Sequence, residues 1–151
     1  MKRTTIFLTR VGENVVLTGP NVILALKIAV GSVTLLLVAS LVALAAGKPR
    51  WHGRINTVFF ALVAATVLGF EVVIRFVLPN LTAEFTADQR EALSIHLGFS
   101  VPAAVLLPAM LFTGKRGWKS THVGLAVVFL ALWAGTLVTG LFFLPHRFDA
   151  P

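Results

Sequence analysis

The side chains able to do chemistry in this 151-residue chain are few, and they fall into two groups. His52 and His122 each stand where a long apolar stretch begins, in matching surroundings: residues 48–54 read Lys-Pro-Arg-Trp-His-Gly-Arg and residues 115–122 read Lys-Arg-Gly-Trp-Lys-Ser-Thr-His. Two neutral imidazoles that converge on one point could ligate a metal ion or the iron of a haem. The alternative is two interfacial histidines bonded to water or lipid headgroups. The second group is Glu71, Arg75 and His96. Glu71 and Arg75 have the i, i+4 spacing of a pair on one helix face. An ionisable group inside an apolar span costs at least a few kcal/mol and is therefore either paired or functional. Here it is either a site built around Glu71 and His96, or Arg75 neutralising Glu71 while His96 bonds a carbonyl freed by a helix kink. His146, after Pro145 and before Arg147, is a weaker candidate.

Other chemistries lack their residues. There is no cysteine, which removes disulfides and thiolate metal sites. No nucleophile–base pair, Gly-rich phosphate loop or glycosidase-type acid pair is visible, so the expectation is a protein that is not an enzyme.

The elements that must position these residues are membrane spans. The chain is 57% hydrophobic and 13% charged, with a mean hydropathy of +0.90. A soluble domain carries about 25% charged residues. The apolar runs are long enough to cross a hydrocarbon core roughly 30 Å thick. They predict spans over 21–46, 55–78, 92–113 and 122–144, hence an all-α membrane protein: an up-down bundle of four transmembrane helices in one domain, 21–151. Residues 1–20 read as a short tail, either at the membrane surface or disordered, with Gly19-Pro20 as the break; Phe7, Leu8, Val11 and Val15 fit helical spacing, which Gly12 weakens. The start of the chain does not resemble a cleaved signal peptide. Small residues at Ala61, Ala65 and Gly69, and again at Gly135, Thr136, Thr139 and Gly140, are expected to let neighbouring helices approach closely. Pro102 and Pro108 predict a kinked third span. Lys27 has stem enough to snorkel to the interface.

Alternating helices place the connections 48–54 and 115–121 on one membrane face, called face A, and both termini with the loop 80–91 on face B. The net charge of +7 is carried by residues flanking the spans, so anionic headgroups rather than nucleic acid are the expected counter-charges. Face A holds Lys48, Arg50, Arg54, Lys115, Arg116 and Lys119 without an acid. Lys and Arg are nearly as numerous on face B, which leaves orientation open. On a rise of about 1.5 Å per residue, Glu71 lies about 10–12 Å from the end of its helix and His96 about 6 Å inside face B. The same arithmetic puts His96 about 25 Å or more from face A, too far to share an ion with His52 and His122.

His52-x-x-x-Asn56 opening one helix, His96 early in the next with Pro108 inside it, then Thr121-His122 leading to Trp133 and Thr139-Gly140, resembles the CtaM/YozB-type membrane proteins, a family of small bacterial proteins. The resemblance covers about residues 47 to 144. Glu71 and Arg75 stand where aromatic or histidine residues are more usual in that pattern, and the N-terminal tail has no counterpart in it. The resemblance implies a non-enzymatic protein of the cytoplasmic membrane that serves the maturation of haem–copper oxidases. It implies that His52, His96 and His122 handle copper or haem, and that oxidase subunits are partners. Two other functions fit the residues: a bis-histidine haem b electron-transfer or quinone-linked subunit, and a structural subunit whose histidines are incidental.

Overall fold

In the computed structural model the described residues are 7–8, 15–16, 19–79 and 85–143. They form four long helices. α1 spans Gly19–Ala45, α2 Pro49–Val72, α3 Ala87–Arg116 and α4 Lys119–Val138. α2 and α4 each run on into a single π-helical turn, Val73–Val77 and Thr139–Phe143. All four are long and apolar enough to cross a membrane, so the chain is a multi-pass membrane protein with an all-α four-helix bundle. Before α1, two-residue strands β1 (Phe7–Leu8) and β2 (Val15–Val16) pair antiparallel, which is not the helical spacing of that stretch. His146 lies outside the described residues.

The helices extend further than hydropathy alone predicts. Between α1 and α2 only Ala46, Gly47 and Lys48 are left, and between α3 and α4 only Gly117 and Trp118. Both turns are Schellman closures on a left-handed glycine. Gly47 (φ 69°) donates to the Leu44 carbonyl while Lys48 donates to that of Ala43; Gly117 (φ 72°), with Trp118, does the same to Gly114 and Thr113. Pro49 at the first position of α2 lacks only an N–H that would have no helical partner there. The basic stretches 48–54 and 115–121 are therefore mostly first and last helical turns rather than loops. At the other face, Thr86 and Gln89 form a reciprocal capping box that starts α3 five residues ahead of its apolar run. α3 continues unbroken through Pro102 and Pro108.

α1 packs along α2 and α3 along α4 and the π turn that follows it, so the bundle is two helical hairpins, joined by α2 against α3. The buried cluster takes two residues from each helix: Val33 and Leu37, Phe59 and Val63, Ala103 and Leu107, Phe129 and Trp133. Phe59 meets Phe129 edge-on at 6.1 Å and Trp133 at 5.1 Å. Such pairs contribute about 0.5–1.5 kcal/mol beyond burial, and in a bilayer, where water does not drive helices together, packing of this kind carries the association. Trp133 Nε1 donates to Thr34 Oγ1 at 3.2 Å, tying α4 to α1.

The two small-residue patches part company. Gly135 lies under the Phe99 ring and Gly140 under His96, with Thr136 and Thr139 buried beside them, so α4 uses its patch inside the bundle. Ala61, Ala65 and Gly69 instead face outward, and a Cβ at Gly69 would meet nothing within 4 Å. α2 turns Phe59 and Val63 to the core, and residues two positions along a helix lie on nearly opposite faces.

Candidate functional site

His52 sits one turn into α2, and its ring is fixed by a closed set of hydrogen bonds within the first hairpin. Nδ1 lies 3.0 Å from the Ser40 carbonyl and 2.8 Å from Ser40 Oγ. The Ser40 hydroxyl donates to Asn56 Oδ1 at 2.6 Å, and the Asn56 amide reaches His52 Nε2 at 3.1 Å. One proton arrangement satisfies all of these: His52 protonated on Nδ1 and donating to Ser40, and Nε2 accepting from Asn56. Ser40 is fully buried. Both nitrogens of His52 are thus engaged, and its Nε2 can reach a metal only by displacing Asn56.

His122 occupies the corresponding place in the second hairpin, one turn into α4. Its Nδ1 donates to the Met110 carbonyl at 3.0 Å, with Thr113 Oγ1 at 3.3 Å. Thr113 gives its own proton to the Ala109 carbonyl at 2.9 Å, so it too faces the imidazole as an acceptor. The ring packs on Gly114, where a Cβ would come within 3.2 Å. Nε2 of His122 makes no hydrogen bond among the described residues. His52 and His122 share no partner; each is bonded inside its own hairpin.

His96 lies near the other end of the bundle. Its Nδ1 donates to Thr139 Oγ1 at 2.9 Å, and Thr139 donates in turn to the Gly135 carbonyl at 2.7 Å. Gly140 lets the ring lie against the α4 backbone. The carbonyl of Leu141, in the π turn just beyond, accepts from Lys27 Nζ at 2.8 Å. Lys27 therefore reaches across to the π turn that follows α4.

Glu71 and Arg75 pair as their spacing predicts, Arg75 Nε donating to Glu71 Oε2 at 2.7 Å. As an ionisable group inside an apolar span Glu71 is expected to turn into the bundle; instead its side chain is 45% exposed and that of Arg75 71%. An i, i+4 pair neutralises itself on one helix and needs no neighbour, and His96 has its partner on α4 instead.

Among the described residues no three His, Cys, Asp or Glu come together as a metal-binding group. What the donor set offers is single imidazoles, anchored through Nδ1 as the outer partners of metal-bound histidines usually anchor them. Ser40 and Thr113 are partners that the spacing of charges and histidines does not reveal, whereas Asn56 and Thr139 stand in the sequence pattern itself. Asn56, four residues after His52, carried the one local signal. Ser40 is brought to His52 only by the tight turn at Gly47.

The architecture defines a multi-pass helical membrane protein with histidines anchored near both ends of the bundle. No family model matches the chain, and neither curated proteins nor solved structures provide a match.

Proposed function

We propose that this is a non-enzymatic accessory protein of the cytoplasmic membrane that serves assembly of a respiratory haem–copper oxidase by handling copper or haem through its histidines. The supporting observation is His122: its ring is fixed through Nδ1 on α3, while Nε2 has no partner among the described residues. Nothing in the helix packing requires that nitrogen, and an imidazole so oriented is a ready one-point ligand. The sequence pattern linking His52, His96, His122 and the Trp133…Thr139-Gly140 segment supports the oxidase as the destination.

The bis-histidine haem b reading has less support, since it asks His52 and His122 to face a common iron while His52 is closed on Ser40 and Asn56. The test is purification in mild detergent followed by absorption spectroscopy, metal analysis and co-purification of oxidase subunits, with His122→Ala beside the wild type. Cargo bound by the wild type and lost in His122→Ala, with oxidase maturation falling in the same strain, is the expected result. A colourless, metal-free protein whose deletion leaves oxidase content unchanged would reduce the bundle to a structural role.

A further inference from the structure

The two hairpins match one another at a constant shift of 70 residues. Gly47 and Gly117, the two positive-φ residues among the described ones, are related by it, as are the helix starts Pro49 and Lys119. So is the entire buried cluster: Val33 with Ala103, Leu37 with Leu107, Phe59 with Phe129, Val63 with Trp133. The same shift carries His52 to His122 and its carbonyl partner Ser40 to Met110, both at 3.0 Å. Residues 51–60 and 121–130 repeat one order of exposed, half-buried and buried positions. In this register residues 33–66 and 103–136 are identical at twelve positions. Shared apolar composition explains repeated leucines and alanines, but not a core, a turn and a histidine bond kept in one register. Both hairpins enter from face B, so they are parallel repeats, of the kind related by an axis along the membrane normal.

The difference between the copies lies beside the histidine. Asn56, which donates to His52 Nε2, becomes Ala126 in the second copy. Four residues on along a helix is the same face, so Ala126 leaves uncovered the nitrogen that Asn56 covers. We infer that the chain is a tandem duplication of one helical hairpin, in which Asn56 closes the histidine of the first copy and Ala126 leaves His122 open to ligate haem iron through Nε2. This rests on the cargo-handling function proposed above, and names its cargo and its ligand.

Haem fits this position better than a bare ion for two reasons. A protein-held ion takes three or four ligand atoms, and the described residues bring no such group together. Haem iron already has four porphyrin nitrogens and asks the protein for one or two axial ligands. The charge at face A points the same way: Lys115, Arg116 and Lys119, with Lys48, Arg50 and Arg54, repel a cation and attract the carboxylates of a porphyrin.

The test is titration of ferric haem into the full-length chain in mild detergent, read by the Soret band, with circular dichroism and monodispersity as controls for folding. Wild type takes one equivalent. His122→Ala loses it, and Ala126→Asn weakens it by about ten-fold, the equivalent of one hydrogen bond that must now be broken. Asn56→Ala, which opens His52, adds a second equivalent. Unchanged affinity in folded Ala126→Asn overturns the inference, and a single equivalent in Asn56→Ala overturns the equivalence of the two copies. Haem binding that survives both His122→Ala and Ala126→Asn but is lost in His96→Ala leaves cargo handling standing and refutes this assignment alone. Cupric ion bound in place of haem, with the same sensitivity to Ala126→Asn, refutes the choice of haem. A wild-type chain that binds neither removes the proposed function itself.

Discussion

Ser40→Ala tests the hydrogen-bonded ring that closes the first hairpin. The hydroxyl it removes is fully buried, donates to Asn56 Oδ1 at 2.6 Å and lies 2.8 Å from His52 Nδ1. His52 keeps the Ser40 carbonyl at 3.0 Å, so the imidazole stays anchored and the loss falls on Asn56. A helix–helix hydrogen bond in a membrane protein contributes about 0.6–2 kcal/mol. An acceptor left without a donor adds about 1 kcal/mol at the lower end of the usual range, which suits the half-buried Asn56. Ser40→Ala should therefore destabilise the protein by about 1.5–3 kcal/mol. The assay is unfolding in mixed detergent micelles, followed by tryptophan fluorescence, with Asn56→Ala and the double variant completing a cycle. The two changes should couple by about 0.6–1.5 kcal/mol, since the bond lost is common to both. A coupling within about 0.3 kcal/mol of zero means additive, independent sites and refutes the ring.

Further outcomes are expected from the same assay. Phe59→Ala, which empties the centre of the aromatic cluster, should cost about 3–5 kcal/mol; a loss under about 1 kcal/mol would mean that the cluster does not hold the hairpins together. Gly135→Ala drives a Cβ into the Phe99 ring and should cost about 1–3 kcal/mol, with Phe99→Ala in the same chain recovering part of it. Gly117→Ala forces a side chain into left-handed backbone at about 1–2 kcal/mol, and an unchanged midpoint would contradict the Schellman turn. Glu71→Gln leaves Arg75 without its partner on the lipid-facing side of the span, where an unpaired charge costs up to about 2.5–3.5 kcal/mol. Arg75, two residues from the helix end, can extend to the interface, so the loss should be about 1–2 kcal/mol, and an unchanged midpoint would mean that the pair stands in water.

The helices were legible because hydrophobic length alone distinguishes a span, and their order because the connections are short. Their ends were less legible: hydropathy reports the edge of the apolar run, whereas Thr86 with Gln89, and Gly47 and Gly117, set where the backbone stops or starts. Those capping residues are local signals that a composition window averages away. The outward stripe of Ala61, Ala65 and Gly69 shows a different limit. Spacing defines a face, but which face meets a neighbour depends on the other helices, and Phe59 and Val63 claimed the interior. The pairing of Glu71 with Arg75 was readable for the opposite reason, since i, i+4 contacts need nothing beyond one helix. The surroundings of the histidines lay between these cases. His52 and His122 stood out by type and setting, but Ser40 and Met110 come to them only through the turns, across a sequence gap that no local pattern spans.

The tightness of those turns has a consequence for how the protein enters its membrane. With three residues between α1 and α2 and two between α3 and α4, closing either hairpin costs little chain entropy. The first pair can form while the remainder is still being synthesised. Ser40, His52 and Asn56 all belong to that pair, so their hydrogen bonds are within reach before Glu91 has left the ribosome. The aromatic cluster is different: Phe59 must wait for Phe129 and Trp133, seventy residues and more downstream. Insertion would then proceed as two self-closing units followed by one docking step. A chain halted before Phe129 would display Phe59 to the bilayer with its histidine network already made.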